Sequence, residues 1–206
     1  YITNMAEQKL LKKLLKELLP RIKGDYFISD GALLGIIREG NLIEHDNDID
    51  IYLLPNTTID LEDTDLKIQK YYMNDKIYNP NYSSNTKSKW LEYISYIRMK
   101  LFPIKYNKPK LYKLGSLTYK TESIKNNATT PNIDIFYLEK KEDTYIIPYW
   151  TNKLKYYYYK HNEIYPLLVN NDLGVGVNIP YKSITLLKRF YGENCLSVID
   201  KEFLHL

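Results

Sequence analysis

The run His45-Asp46-Asn47-Asp48-Ile49-Asp50-Ile51 sets three carboxylates at alternate positions leading into an acidic-apolar alternation that Pro55 stops. In an extended strand, residues i and i+2 leave the same face with Cα atoms roughly 6.5 Å apart, so Asp48 and Asp50 can converge on one site. Carboxylates held that close repel, which raises a pKa or demands a counter-cation. Oxygen-only ligands favour Mg2+ or Mn2+, and a bound divalent metal is the simplest explanation of the pair.

Three other readings of the run compete with that one. A calcium loop of the EF-hand type finds its first acids in Asp46, Asp48 and Asp50, but Ile51 and Thr57 stand where it needs glycine and glutamate. A nucleotide-sugar glycosyltransferase also holds metal and diphosphate with an Asp-x-Asp. That motif follows a whole nucleotide-binding α/β region, and here only 47 residues precede Asp48. A solvated acidic turn accounts for Asp46 and Asn47, but not for an alternation that continues through Ile49, Ile51 and Leu53.

The elements around the run must position it. Leucines at 10, 11, 14, 15, 18 and 19 opposite Lys9, Lys12, Lys13 and Lys16 predict an amphipathic helix over residues 5–19, with its leucine face packed on a sheet. Asn4 and Glu7 have the spacing of a capping box, and Pro20 closes the far end. Residues 25–29 read as a buried strand, broken by Asp30-Gly31 before a helix over 32–38. Glu39-Gly40-Asn41 then makes a turn, and 48–54 forms the next strand. Residues 56–89 have few apolar anchors and a weak helical pattern at 66–72, and are assigned to variable surface. Strands are predicted at 90–102 and 111–119, a helix or strand at 150–160, and a further strand at 132–138. That last one, Asn132-Ile133-Asp134-Ile135-Phe136-Tyr137-Leu138, is apolar and β-branched except for one acid, Asp134, which needs a reason. Ile184, Leu187 and Phe190 at helical spacing, with Gly192 beyond them, predict a C-terminal helix.

Asp30-Gly31-Ala32-Leu33-Leu34-Gly35, then Arg38, then a short turn, then Asp46-Asn47-Asp48-Ile49-Asp50 resembles the signature of the LicD and fukutin family: DG-T-LLG-x-x-R, a turn, and PWD-x-D-x-D. Ile164-Tyr165-Pro166-Leu167, residues 174–180 and Tyr191-Gly192 resemble later elements of the same family. The resemblance implies an α+β fold: a nucleotidyltransferase-like mixed β-sheet flanked by helices, of the polymerase-beta-like superfamily, as one domain over 1–206. It implies that Asp48 and Asp50 bind Mg2+ or Mn2+, and that Asp134 is the third acid, binding metal and helping to remove a proton from the acceptor. Gly31 matches a glycine that faces phosphate at a helix start, and Ala32 stands where the family has Thr or Ser, leaving only its backbone N-H. Arg38 is divided between donor phosphate and an ion pair with Glu39 or Glu44. Asp30 and Asp46 match the pattern as substrate-side residues, although a helix-capping acid is the commoner role for such a position. Glu44 and His45 replace the family's Pro-Trp, and no zinc is expected.

The function implied is transfer of a phospho-alcohol group, such as phosphocholine or ribitol phosphate, from a CDP-activated donor to a glycan hydroxyl. Two alternatives stay open: a nucleotidyltransferase that moves NMP from an NTP to a small molecule, protein or RNA, and a non-catalytic glycan- or nucleotide-binding module. Lys182, Lys188 and Arg189 are cations that could meet phosphate, and Tyr156 to Tyr159 could stack a base or sugar; packing and solvated helix positions are the commoner roles of such residues.

Composition sets the outer bounds. With 206 residues the chain suits one domain, and its apolar runs fall far short of the roughly 20 residues that cross a bilayer. One cysteine, Cys195, excludes an internal disulfide, which slightly favours the cytoplasm or another reducing compartment. The net charge of +4 is spread along the chain rather than gathered in a stripe, so nucleic acid is not the expected partner. Twenty-two tyrosines, with abundant Lys, Asn and Ile, read as codon bias rather than function. The chain opens at Tyr1, which suggests a domain cut from a longer polypeptide, with a fused or associated glycosyltransferase as a further expected partner.

Overall fold

In the computed structural model, which describes residues 2–71, 114–119, 131–147 and 158–197, a five-stranded mixed sheet carries the molecule. Its strands are β2 (Tyr26–Ser29), β3 (Asp48–Leu53), β5 (Leu66–Tyr71), β6 (Leu114–Tyr119) and β7 (Asn132–Tyr137), in the order β2-β3-β7-β6-β5. Only β3 and β7 run parallel; every other pairing in this sheet is antiparallel. The fold is α+β, as predicted.

Because side chains alternate across a strand, register divides the sheet into two unlike faces. Ile49, Ile51 and Leu53 of β3, Tyr26 and Ile28 of β2, and Ile133 and Ile135 of β7 are buried on one side. They join a core with Leu11, Leu14, Leu15 and Leu18 of the N-terminal helix α1 (Ile2–Leu18). Full burial of such a leucine stabilises the fold by about 1.5–3 kcal/mol. The predicted leucine face therefore packs on a sheet. The predicted cap does not form: α1 already runs through Asn4, whereas an N-cap residue has non-helical backbone. Pro20 lies in the 3-10 turn Leu19–Arg21 that follows α1.

On the other face, Phe27, Tyr52 and Phe136 are register partners on three adjacent strands. Their rings stack in a ladder, with centroids 5.6 Å apart for Phe27–Tyr52 and 4.8 Å for Tyr52–Phe136. The C-terminal region covers this ladder. β8 (Glu139–Lys141), β9 (Thr144–Ile146) and β10 (Tyr158–Lys160) form an antiparallel sheet, and Tyr159 sets its ring edge-on to Phe27 at 5.2 Å. The short helix α3 (His161–Ile164) and the C-terminal helix α4 (Ser183–Tyr191) complete this aromatic core through Ile164, Leu186 and Phe190. Arg189 binds the Tyr158 carbonyl and Glu163, and covers the Tyr158 ring at 4.7 Å, so this cation is committed to packing. Lys188 pairs with Glu193 at 2.9 Å.

Two small pairings flank the main sheet: β1 (Ile22–Lys23) with β4 (Thr58–Ile59), and β11 (Leu168–Asn170) with β12 (Val177–Ile179). The turn between β11 and β12 contains Gly174 at a φ of 73°, a conformation suited to glycine.

One prediction is overturned at residues 66–71, where the weak helical pattern expected over 66–72 gives way to β5. Leu66 is buried and Ile68 packs on the aliphatic core with Lys67 between them, a period of two, and β6 supplies the pairing partner. Of the predicted strand over 111–119, residues 114–119 are β6, and of the segment 150–160, residues 158–160 are β10. The remainder of both, and the predicted strand at 90–102, lie outside the described residues. Among the described residues, no helix is long and apolar enough to cross a membrane.

Candidate active site

The parallel pairing of β3 with β7 sets Asp50 opposite Asp134 and Asp48 opposite Asn132. Residues in register on adjacent strands leave the same face, so acids 84 positions apart in the chain (134 minus 50) become neighbours. Carboxylate oxygens of Asp48, Asp50 and Asp134 all lie within 4.8 Å of one another. Asn132 Nδ2 donates to Asp134 Oδ1 at 3.4 Å and leans on that third acid from its own strand.

Two more carboxylates join them from the connecting segments. Ser29 pairs opposite Asp50, and the chain then turns into α2 (Asp30–Glu39). Asp30 takes a φ of 51°, a left-handed conformation that a residue with a side chain adopts only when its surroundings hold it there. Its Oδ2 accepts a 2.7 Å hydrogen bond from the Tyr52 hydroxyl. The helix-capping role is absent: Ser29 is the N-cap residue of α2, and no side chain caps that end.

Asp46 approaches the same helix start. A Cβ on Gly31 would stand 2.4 Å from Asp46 Oδ2, so the absence of a side chain at Gly31 is what admits this carboxylate. A helix N-terminus favours such a negative group. The loop that delivers Asp46 is held from two sides. Gly35 lets it close on α2, since a Cβ there would lie 2.5 Å from the Asn41 carbonyl oxygen, and Gln8 Nε2 donates to the Ile43 carbonyl at 3.0 Å.

Five carboxylates therefore share one end of the sheet. Burial first, then the charges of Asp30, Asp48, Asp134 and Asp46, push Asp50 well above the usual carboxylate range. Asp50 keeps some contact with solvent, yet the protein packed around it removes most of water's stabilisation of its charge. Burial, followed by its hydrogen bond to the Asp48 side chain and the charge of Asp48, raises Asp46 to about 8. Asp30 is raised to about 6, chiefly by burial, with the Tyr52 hydrogen bond opposing that rise and the charge of Asp48 adding to it.

Among the described residues, no lysine or arginine pairs with Asp30, Asp46, Asp48 or Asp50, and no donor hydrogen-bonds Asp50. Negative charge concentrated in this way could be offset by a bound cation. Oxygen-only donors converging from two strands fit a hard divalent ion. Asp48, Asp50 and Asp134 are the residues that could hold it.

Other predicted site residues stand elsewhere. Ala32 is 1% exposed within the aliphatic core, so its methyl group offers nothing to a ligand. Arg38 lies seven residues along α2 from Gly31, about 10 Å at 1.5 Å per residue. Its Nε donates to Glu39 Oε1 at 3.0 Å, the ion-pair arrangement rather than a place beside the acids. His45 is exposed beside Glu44. Tyr159 is fully buried in the aromatic core and offers no stacking surface. Sequence reasoning missed Tyr52, Asn132 and Ser29, whose hydroxyl lies 3.2 Å from that of Tyr159. The available signal was parity: Tyr52 stands two residues beyond Asp50, and Asn132 two before Asp134.

Comparison with known proteins bears on this arrangement. Residues 23–124 match the family model LicD/FKTN/FKRP, nucleotidyltransferase domain. That span holds Asp30, Gly31, Asp46, Asp48 and Asp50, while Asp134 lies just beyond it and reaches the site through the β3–β7 register. No curated protein matches the chain. The match points to a phosphotransferase-type, glycan-modifying family, and with its acids gathered on one sheet face this chain belongs to the LicD/fukutin family.

Proposed function

We propose that the protein is a divalent-metal-dependent transferase that moves a phospho-alcohol group, phosphocholine, ribitol phosphate or a similar group, from a CDP-activated donor to a glycan hydroxyl. The observation that carries this reading is the meeting of carboxylate oxygens of Asp48, Asp50 and Asp134 within 4.8 Å of one another. In the reaction the acceptor oxygen forms a bond to the donor's substituted phosphorus, the bond from that phosphorus to the nucleotide oxygen breaks, and CMP leaves. Such a transfer needs positioning, charge neutralisation and deprotonation of the acceptor.

Asp48, Asp50 and Asp134 would hold Mg2+ or Mn2+. When bound, the ion would supply positive charge to the non-bridging phosphate oxygens. The chain's own residues do the rest. Asp134, steadied by Asn132, takes the proton of the acceptor hydroxyl. Gly31 admits the Asp46 carboxylate to the start of α2, and Asp30 and Asp46 frame the substrate side of the cluster. Residues 1–206 act as one catalytic domain, with a glycosyltransferase as an associated or fused partner.

The nucleotidyltransferase description of the matched model favours a second reading, in which the same acids transfer NMP from an NTP. One assay separates the two. With Mn2+ and a glycan acceptor, CDP-choline, CDP-ribitol or CDP-glycerol is expected to release CMP with phospho-alcohol on the glycan. Pyrophosphate release from CTP or ATP, with no turnover of any CDP-linked donor, would give the second reading instead.

A further inference from the structure

We propose that Tyr52 is a positioning residue of the active site, whose hydroxyl locks Asp30 in place as a fourth carboxylate acting on the metal-binding triad. The inference rests on the metal-binding reading above and concerns a residue that lies outside the acidic motif. Tyr52 follows Asp50 by two positions on β3, so its side chain leaves the acidic face of the sheet. It is 1% exposed and stacked between Phe27 and Phe136, both interplanar angles being 10°. Tyr159 closes over it with a centroid 5.6 Å away. A ring gripped on both faces cannot move, and its oxygen is therefore a fixed point at the floor of the acidic cluster.

Asp30 is brought to that point at a cost in backbone conformation, with its φ of 51° at the first residue of α2. It immediately follows Ser29, the register partner of Asp50. The hydroxyl of Tyr52 occupies Oδ2 at 2.7 Å and so fixes which way the carboxylate turns. A carboxylate placed that way strengthens the hold on a cation without belonging to the triad. Tyr52 acts through Asp30.

Tyr52→Phe keeps the ring and its stacking and removes only the hydroxyl. Loss of a hydrogen bond to a charged group is expected to weaken Mn2+ binding by about tenfold, measured by calorimetric titration of protein whose circular dichroism is unchanged. Because Tyr52 acts through Asp30, the double variant Tyr52→Phe with Asp30→Asn should bind Mn2+ no more weakly than Asp30→Asn alone. Mn2+ affinity of wild-type strength in folded Tyr52→Phe, or losses that multiply in the double variant, would overturn the proposal. Should Tyr52→Phe fail to fold, Asp30→Asn decides by itself: unchanged Mn2+ affinity there overturns the proposal, and weakened affinity supports it. Wild-type protein that binds no Mn2+ would sink the metal-binding reading and this inference together, whereas wild-type binding with indifferent variants sinks this one alone.

Discussion

The two faces of the central sheet are built from the same strands and have opposite demands. On one, Ile49, Ile51, Ile133 and Ile135 meet the leucines of α1, and shape alone decides the fit. On the other, Asp48, Asp50 and Asp134 stand at one end and the Phe27–Tyr52–Phe136 ladder at the other, joined by Tyr52's bond to Asp30. The aliphatic face supplies stability and asks for nothing chemical. The acidic end holds like charges together, which costs stability in the metal-free protein, and the aromatic half keeps those charges from relaxing apart. A site that opposes its own fold is what functional positions are expected to look like.

Substitutions that affect one face and spare the other sharpen this contrast. Asp50→Asn should give the largest effect: a folded protein whose kcat/KM falls by about a thousandfold, comparable to loss of a main transition-state contact. Its metal-free melting temperature should not fall, because a repelled carboxylate has been removed; a large drop would mean that Asp50 serves the fold. Leu14→Ala reverses the pattern. Leu14 is fully buried, so truncation should cost about 3 kcal/mol in denaturant unfolding, while the folded fraction retains its turnover. Loss of activity without loss of stability there would break the division between the faces.

The smallest expected effect is on pH dependence. Asp50 is held well above the ordinary carboxylate range, Asp46 at about 8 and Asp30 at about 6. An acid whose folded pKa is raised stabilises the fold fully below its unfolded pKa, about 4, and that contribution fades as pH climbs through the folded value. Metal-free protein in EDTA should therefore melt a few degrees higher at pH 5 than at pH 8.5. Adding Mn2+ at pH 8.5 should remove the deficit. A melting temperature that rises with pH in EDTA would mean that the acids are not mutually repelled.

Much of this was legible from residue spacing, and the parts that were not share a cause. Period-two alternation placed Asp48 and Asp50 on one face because a strand imposes that parity locally. Asp134 was identified as a metal-binding acid through family resemblance, since nothing in its own segment says that β7 pairs with β3. The same non-locality hid β5, whose partner strand begins 43 positions after β5 ends (114 minus 71), so that a short run with two apolar residues passed for weak helix. Arg38's place on α2 was legible, and of the two partners left open for it the structure shows Glu39. Tyr52 obeyed the parity rule, yet its partner Asp30 depends on a left-handed backbone at the start of α2.

The central claim is that Asp48, Asp50 and Asp134 form a divalent-cation site, and titration of Mn2+ into wild-type, Asp50→Asn and Asp134→Asn proteins at neutral pH tests it most directly. Saturable binding in the wild type, abolished in both folded variants, is the expected result. No binding in the wild type, or binding that survives in both variants, would contradict it.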